Sequence, residues 1–152
     1  MELLLSDFEE NEYYPIGLVT GLEIHQLAYQ LNEKMGARFH RKKEDLQPDQ
    51  QSYFQHFLWA DDSRGLSCHL IANHCWLEQS GQDKNSLDLF ELSPSKKVSL
   101  LPEFEKLDFF VVQEDWEQTH TFLQAFKQIP AIQMSQVIRD AKHRSLFQLI
   151  WD

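Results

Sequence analysis

Between Thr20 and Gly36 the chain carries one clear periodicity, and it limits how everything around it can fold. Ile24, Leu27, Ala28, Leu31 and Met35 fall at i, i+3, i+4, i+7 and i+11, which gathers them on one face of an α-helix. Thr20, followed three residues later by Glu23, has the spacing of a capping box. Gly36 stands where a left-handed C-terminal stop belongs. A helix with one apolar face needs a surface to bury it against, and the neighbouring segments have the residue types of strands.

Pro15–Thr20, Tyr53–Trp59, Leu66–Cys75, Leu107–Val112, Ile132–Ile138 and Leu146–Trp151 are rich in β-branched, aromatic and aliphatic residues. Leu87–Leu92 reads as a further strand, and shorter pieces lie at Ala37–His40 and Val98–Leu101. Tyr53–Trp59 and Leu66–Cys75, joined by the turn residues Asp61-Asp62-Ser63-Arg64-Gly65, read as an antiparallel hairpin. A second helix is predicted from a cap at Asp115, with Trp116, Phe122, Leu123 and Phe126 on its buried face, stopping before Pro130. The order strand, helix, several strands, helix, two strands lacks the regular alternation of a doubly wound parallel sheet. The expected fold class is α+β, with two helices packed on a mostly antiparallel β-sheet, in a single domain spanning residues 1–152.

A chain of 152 residues and 18.0 kDa buries roughly 69% of its unfolded surface, so the core needs no metal or disulfide. The net charge of −10 repels phosphate backbones and anionic lipid, which counts against nucleic-acid and membrane partners. Cys68 and Cys75, seven residues apart in one expected strand, would lie about 23 Å from each other, beyond the ~7 Å reach of a disulfide. With no basic leader in Met1–Asp7 and no long apolar run, a cytoplasmic location is expected.

The stretch Cys68-His69-Leu70-Ile71-Ala72-Asn73-His74-Cys75 has zinc-ligand residue types. On one continuous strand, however, Cys68 and His74 face one side, His69 and Cys75 the other, each pair about 20 Å apart, so no metal site is predicted. His69 and His74 then read as edge histidines. No nucleophile elbow, P-loop or dinucleotide fingerprint occurs. His25 and His120 lie beside helical apolar faces and read as packing residues. No catalytic residue and no cofactor are predicted. Two basic clusters stand out in an acidic chain: Arg38, Arg41, Lys42 and Lys43, and Arg139, Lys142, His143 and Arg144. Either reads as a solvated turn or as an anion site.

Leu101-Pro102-Glu103-Phe104-Glu105-Lys106-Leu107-Asp108-Phe109 resembles the signature of the IPExxxVDY family of bacterial proteins. Pro102, Glu103 and Asp108 match, while Leu101, Leu107 and Phe109 replace Ile, Val and Tyr. The similarity extends in order through Ile16-Gly17, Leu27–Asn32, Arg38–Arg41, Asp45-Leu46 and Leu70–Asn73. The resemblance implies a bacterial protein and carries no activity or catalytic residue with it, and Phe109 lacks the Tyr hydroxyl.

Read physically, Pro102 can start a helical turn, with Glu103 and Glu105 near its positive end. Asp108 then stands at the entrance of a buried strand, where a carboxylate accepts hydrogen bonds from backbone or Arg. Glu103 and Asp108 are therefore expected to pin a sharp connection, with Arg38 or Arg41 as a partner. The leading expectation for function is a non-catalytic domain that binds a protein partner or a second copy of itself, through an exposed edge strand at Leu146–Trp151. The alternative is a small-molecule enzyme or ligand-binding protein whose site combines Glu103 and Asp108 with Arg38 and Arg41.

Overall fold

The structure is a computed structural model, and it describes residues 15–61, 65–77, 96–113 and 116–139. Its elements are β1 (Ile16–Thr20), α1 (Ile24–Met35), β2 (His40–Arg41), β3 (His56–Asp61), β4 (Leu66–Ala72), β5 (His74–Leu77), β6 (Lys96–Ser99), a 3-10 turn (Pro102–Phe104), β7 (Phe109–Val112), α2 (Trp116–Lys127) and β8 (Ile132–Val137). Six strands form one sheet in the order β2-β3-β4-β7-β1-β8, and β5 and β6 pair separately. Every strand pair is antiparallel. The α+β architecture of two helices on an antiparallel sheet is therefore present. The expected strands Leu87–Leu92 and Leu146–Trp151, the Asp115 cap and part of the second basic cluster (Lys142, His143, Arg144) lie outside the described residues.

β7 shows why one sheet sustains two cores. All four of its residues are buried, and a strand sends successive side chains to opposite faces. Phe109 and Val111 join the helix-side core with Ile16, Leu18, Leu70, Leu27, Leu31 and Phe122. Phe110 and Val112 enter a second core on the opposite face, with Ile71, Leu100, Leu101 and Leu107. A short unbroken apolar run is what a strand covered on both faces requires.

The helix-side core is closed by the periodic face of α1, where Ile24, Leu27, Ala28 and Leu31 are buried. Gly36 ends α1 at φ 71°, a left-handed conformation that favours glycine, and its N–H bonds the Asn32 carbonyl at 3.2 Å. The Asn32 side chain then holds both backbone groups of Phe39, turning that ring into the core while Arg38 faces outward. The N-terminal box differs from the expected one. Glu23 is the cap and exchanges bonds with Gln26, because Thr20 is still part of β1 and its hydroxyl is engaged elsewhere. That hydroxyl donates to the Ala131 carbonyl at 2.7 Å and accepts from the Leu22 N–H at 3.2 Å.

The expected strand Leu66–Cys75 is also two strands. β4 ends at Ala72, Asn73 makes a corner, and β5 leaves for the second sheet. Cys68 is consequently buried in the helix-side core and Cys75, half-buried, packs against the second, and the two form no disulfide with each other. Among the described residues no helix is long and apolar enough to cross a membrane.

Gly17 is the one position in β1 where a side chain is forbidden by packing. A Cβ there would land inside the Leu107 side chain, which is itself 2% exposed and has little room to retreat. Gly17→Ala should destabilise the domain by about 1–3 kcal/mol, a fall in melting midpoint of roughly 2–4 °C per kcal/mol. The double variant Gly17→Ala/Leu107→Val should recover part of the loss. Thermal denaturation of the three proteins checks this, and an unchanged midpoint in Gly17→Ala would contradict the close approach.

Candidate functional site

The corner at Asn73 positions the chemically interesting side chains. Asn73 is fully buried, and every polar group it has is used. Its N–H donates to the Asp108 carbonyl at 2.9 Å, and its carbonyl accepts from the Leu100 N–H at 2.7 Å. The side-chain amide donates to the carbonyls of Phe104 at 2.9 Å and Leu107 at 2.7 Å. Its oxygen accepts from the Leu101 N–H at 3.0 Å. Residues 100–108 are thus folded around one residue, through its backbone and its side chain together. Pro102 occupies the first turn of the 3-10 segment, where its missing N–H costs nothing.

The clamp delivers Asp108 to the end of β1. The Asp108 N–H donates to the Leu18 carbonyl at 2.6 Å, and its carboxylate accepts from the Thr20 N–H at 3.0 Å through Oδ2. The other oxygen, Oδ1, lies 4.0 Å from His74 Nε2, too far for a hydrogen bond. His74 Nδ1 is 3.1 Å from Ser99 Oγ. Burial holds the His74 pKa below its usual 6.5 and Lys97 adds to the effect. The Asp108 carboxylate and the carbonyls of Leu107 and Glu105 pull it the other way without prevailing.

A cleft of about 300 Å³ opens beside these groups. Glu23, His25, His74 and Asp108 supply its polar edge, Trp76 its lip, and Ile24, Ala72 and Phe109 its apolar side. Ser99, His74 and Asp108 have the residue types of a hydrolase triad but not its geometry. Ser99 does not line the cleft, and the carboxylate makes no hydrogen bond to the imidazole that would orient it as a base.

The four residues singled out in the sequence do not line one cavity. Asp108 borders the cleft just described. Arg41 pairs with Asp45 at 3.0 Å and lines an open groove of about 580 Å³ with Lys43, Glu44, Gln47 and Tyr53. Arg41 on β2 stands three strands from β7, or ~14 Å across the sheet. Arg38 is exposed after α1, and Glu103 is exposed on the 3-10 turn; neither borders the cleft or the groove. Asp108 does pin a connection, but its partner is the Thr20 backbone and not Arg38 or Arg41. Sequence reasoning missed Asn73, whose turn-forming chemistry within an apolar run was the available signal, and missed that His74 and Asp108 border the same cleft.

His69 is 4% exposed, not an edge residue, because β4 lies between β3 and β7. Its Nδ1 is 2.7 Å from Nε2 of His56, which is 2% exposed on β3. A bond of that kind needs one ring to donate and the other to accept, so at least one imidazole is neutral. Burial is the main cause that lowers the pKa of His56 to about 4, with Lys42 contributing. Burial likewise lowers His69 to about 3, aided by His56 and Lys42.

A scan against protein-family models gives no match, and neither the curated proteins nor the solved structures searched provide one.

Two outcomes follow from this geometry. Asn73→Asp keeps the acceptor for Leu101 but removes both donors and sets a carboxylate against two buried carbonyls. The expected cost is about 3 kcal/mol or more, read as a fall of roughly 6–12 °C in melting midpoint; a midpoint within a degree or so of wild type would refute the clamp. For the histidine pair, both folded pKa values lie below the unfolded value, so below pH 6.5 the unfolded chain binds more protons. Stability should be full above about pH 6.5 and fall toward pH 4 by up to ~1.4 kcal/mol per pH unit for each histidine. Denaturation midpoints across that range, compared with those of His69→Gln, isolate the effect; identical slopes would show that the pair does not titrate with unfolding.

Proposed function

We propose that this domain is non-catalytic and acts by binding, joining a second copy of itself through the edge of β8. The observation that carries the reading is the character of that edge. Among the described residues β8 has a strand neighbour only on the β1 side. Its four central residues, Gln133, Met134, Ser135 and Gln136, are exposed, and its six residues include no charge and no proline. Edge strands that must stay single are kept short or charged. The opposite edge, β2, is both: two exposed residues, His40 and Arg41, followed by Lys42 and Lys43.

A second copy suits β8 for two reasons. A two-fold axis places the same strand against itself in antiparallel sense, which continues a sheet that is antiparallel throughout. A net charge of −10 opposes association of two copies, and an uncharged strip is where that repulsion is weakest. Cys68 and Cys75, separated on opposite faces of the sheet and not joined by a disulfide, suit a reducing cytoplasm. Membership of the IPExxxVDY family remains a proposal that rests on the sequence resemblance.

Sedimentation velocity on wild type and on Met134→Lys/Gln136→Lys tests the reading. Wild type should sediment as a dimer in the micromolar range, and the variant as a monomer with an unchanged circular dichroism spectrum. A wild-type monomer across that range would overturn the proposal, as would a variant that dimerises equally well.

A further inference from the structure

We infer that the cleft between the start of α1 and β5 is a binding site for an organic cation, an ammonium or guanidinium group on a short apolar stem. The anchor is Asp108. Its carboxylate is positioned from both ends: the Asp108 N–H is bonded to Leu18 and Oδ2 accepts from the Thr20 N–H. One backbone donor uses a fraction of what a carboxylate can accept. Oδ1 faces His74 across 4.0 Å without a hydrogen bond, and the side chain keeps 32% of its surface. His74, whose pKa is lowered by burial, is neutral near pH 7 and adds no positive charge that would neutralise the carboxylate.

Trp76 stands at the lip with 64% of its surface exposed. An indole face attracts cations, and Lys97 already places its ammonium nitrogen 6.0 Å from the ring centroid. Ile24, Ala72 and Phe109 offer the apolar surface along which a stem can lie. Glu23 adds a second carboxylate at the edge.

The competing chemistry is an anion at the N-terminus of α1, which lines the same cleft. Helix N-termini favour anions because their first N–H groups lack partners. Here the capping box has taken that role: the Glu23 side chain accepts from the Gln26 N–H, and Gln26 accepts from the Glu23 N–H. An incoming anion would meet the carboxylates of Glu23 and Asp108. A cation would meet both favourably, and the net charge of −10 raises its local concentration.

The test uses n-pentylamine, agmatine, n-pentanol and pentanoate as probes of the full chain by ¹⁵N-resolved NMR. Pentylamine and agmatine should produce saturable shifts at the Thr20 amide and the Trp76 indole N–H, while pentanol and pentanoate should not. Asp108→Asn removes the charge but keeps an acceptor for Thr20, and should weaken cation binding by about tenfold or more. Trp76→Ala, at an exposed position, should weaken it independently and carries the test if Asp108→Asn lowers the melting midpoint. Equal shifts from pentanoate and pentylamine, or wild-type affinity in the folded Asp108→Asn or Trp76→Ala protein, would overturn the inference.

Discussion

Asn73 is a polar side chain with no exposed surface, placed where the chain leaves one sheet for another, and its energetics are asymmetric. Each of its hydrogen bonds contributes about 1 kcal/mol net, yet stranding any buried partner costs about 1–3 kcal/mol. The residues it holds are those that close the second core. Leu100, Leu101 and Leu107 all belong to that core, and each is bonded to Asn73 through a backbone group. Asp108 follows directly, so the register of β7 between β4 and β1 depends on the same corner. Hydrophobic burial favours a compact loop here but does not choose which loop. The amide chooses, because only one path of residues 100–108 brings the carbonyls of Phe104 and Leu107 and the N–H of Leu101 to it together.

What was legible in the sequence follows how local each determinant is. The α1 face and its Gly36 stop are set by residues within a few positions of one another, and both appear as read. The apolar run of β7 announced a central strand for the same reason. Thr20 failed as a helix cap because its hydroxyl is drawn to the Ala131 carbonyl, a partner on the far side of the chain. The strand through Leu66–Cys75 failed in the same way. Leu70-Ile71-Ala72 and His74-Cys75-Trp76-Leu77 are each extended, and the bend between them is imposed by carbonyls roughly thirty residues downstream. Asp108 was correctly placed at a strand entrance with hydrogen bonds to make. Its donor was the Thr20 N–H and not Arg38 or Arg41; strand order, which no local pattern encodes, puts Arg41 on the edge strand three places from β7.

The segments that carry the resemblance share more than order along the chain. Gly17 meets Leu107, Leu18 bonds Asp108, and Asn73 binds Leu101, Leu107 and Asp108. Three stretches that are distant in sequence therefore form one packed unit. Pro102 starts its turn, Leu107 fills the space a side chain at Gly17 would occupy, and Asp108 seals it to β1. These positions have a physical reason for their residue types that involves no reaction. Phe109 fits that account as well: its ring is buried in the helix-side core, where a Tyr hydroxyl would need a partner of its own.

Asp108 is the member of this unit that packing alone does not explain. A group whose only task was to hold the Thr20 N–H could be a neutral amide, which accepts one hydrogen bond as well as a carboxylate does and is cheaper to bury. A carboxylate left partly exposed, beside a neutral imidazole and a largely exposed indole, retains charge that the fold does not use. The same clamp that builds the second core thus presents a fixed negative group to the cleft on the other side of the connection. That rigidity is what a binding site needs, because a carboxylate already held in place by the backbone loses little further freedom when a cation arrives.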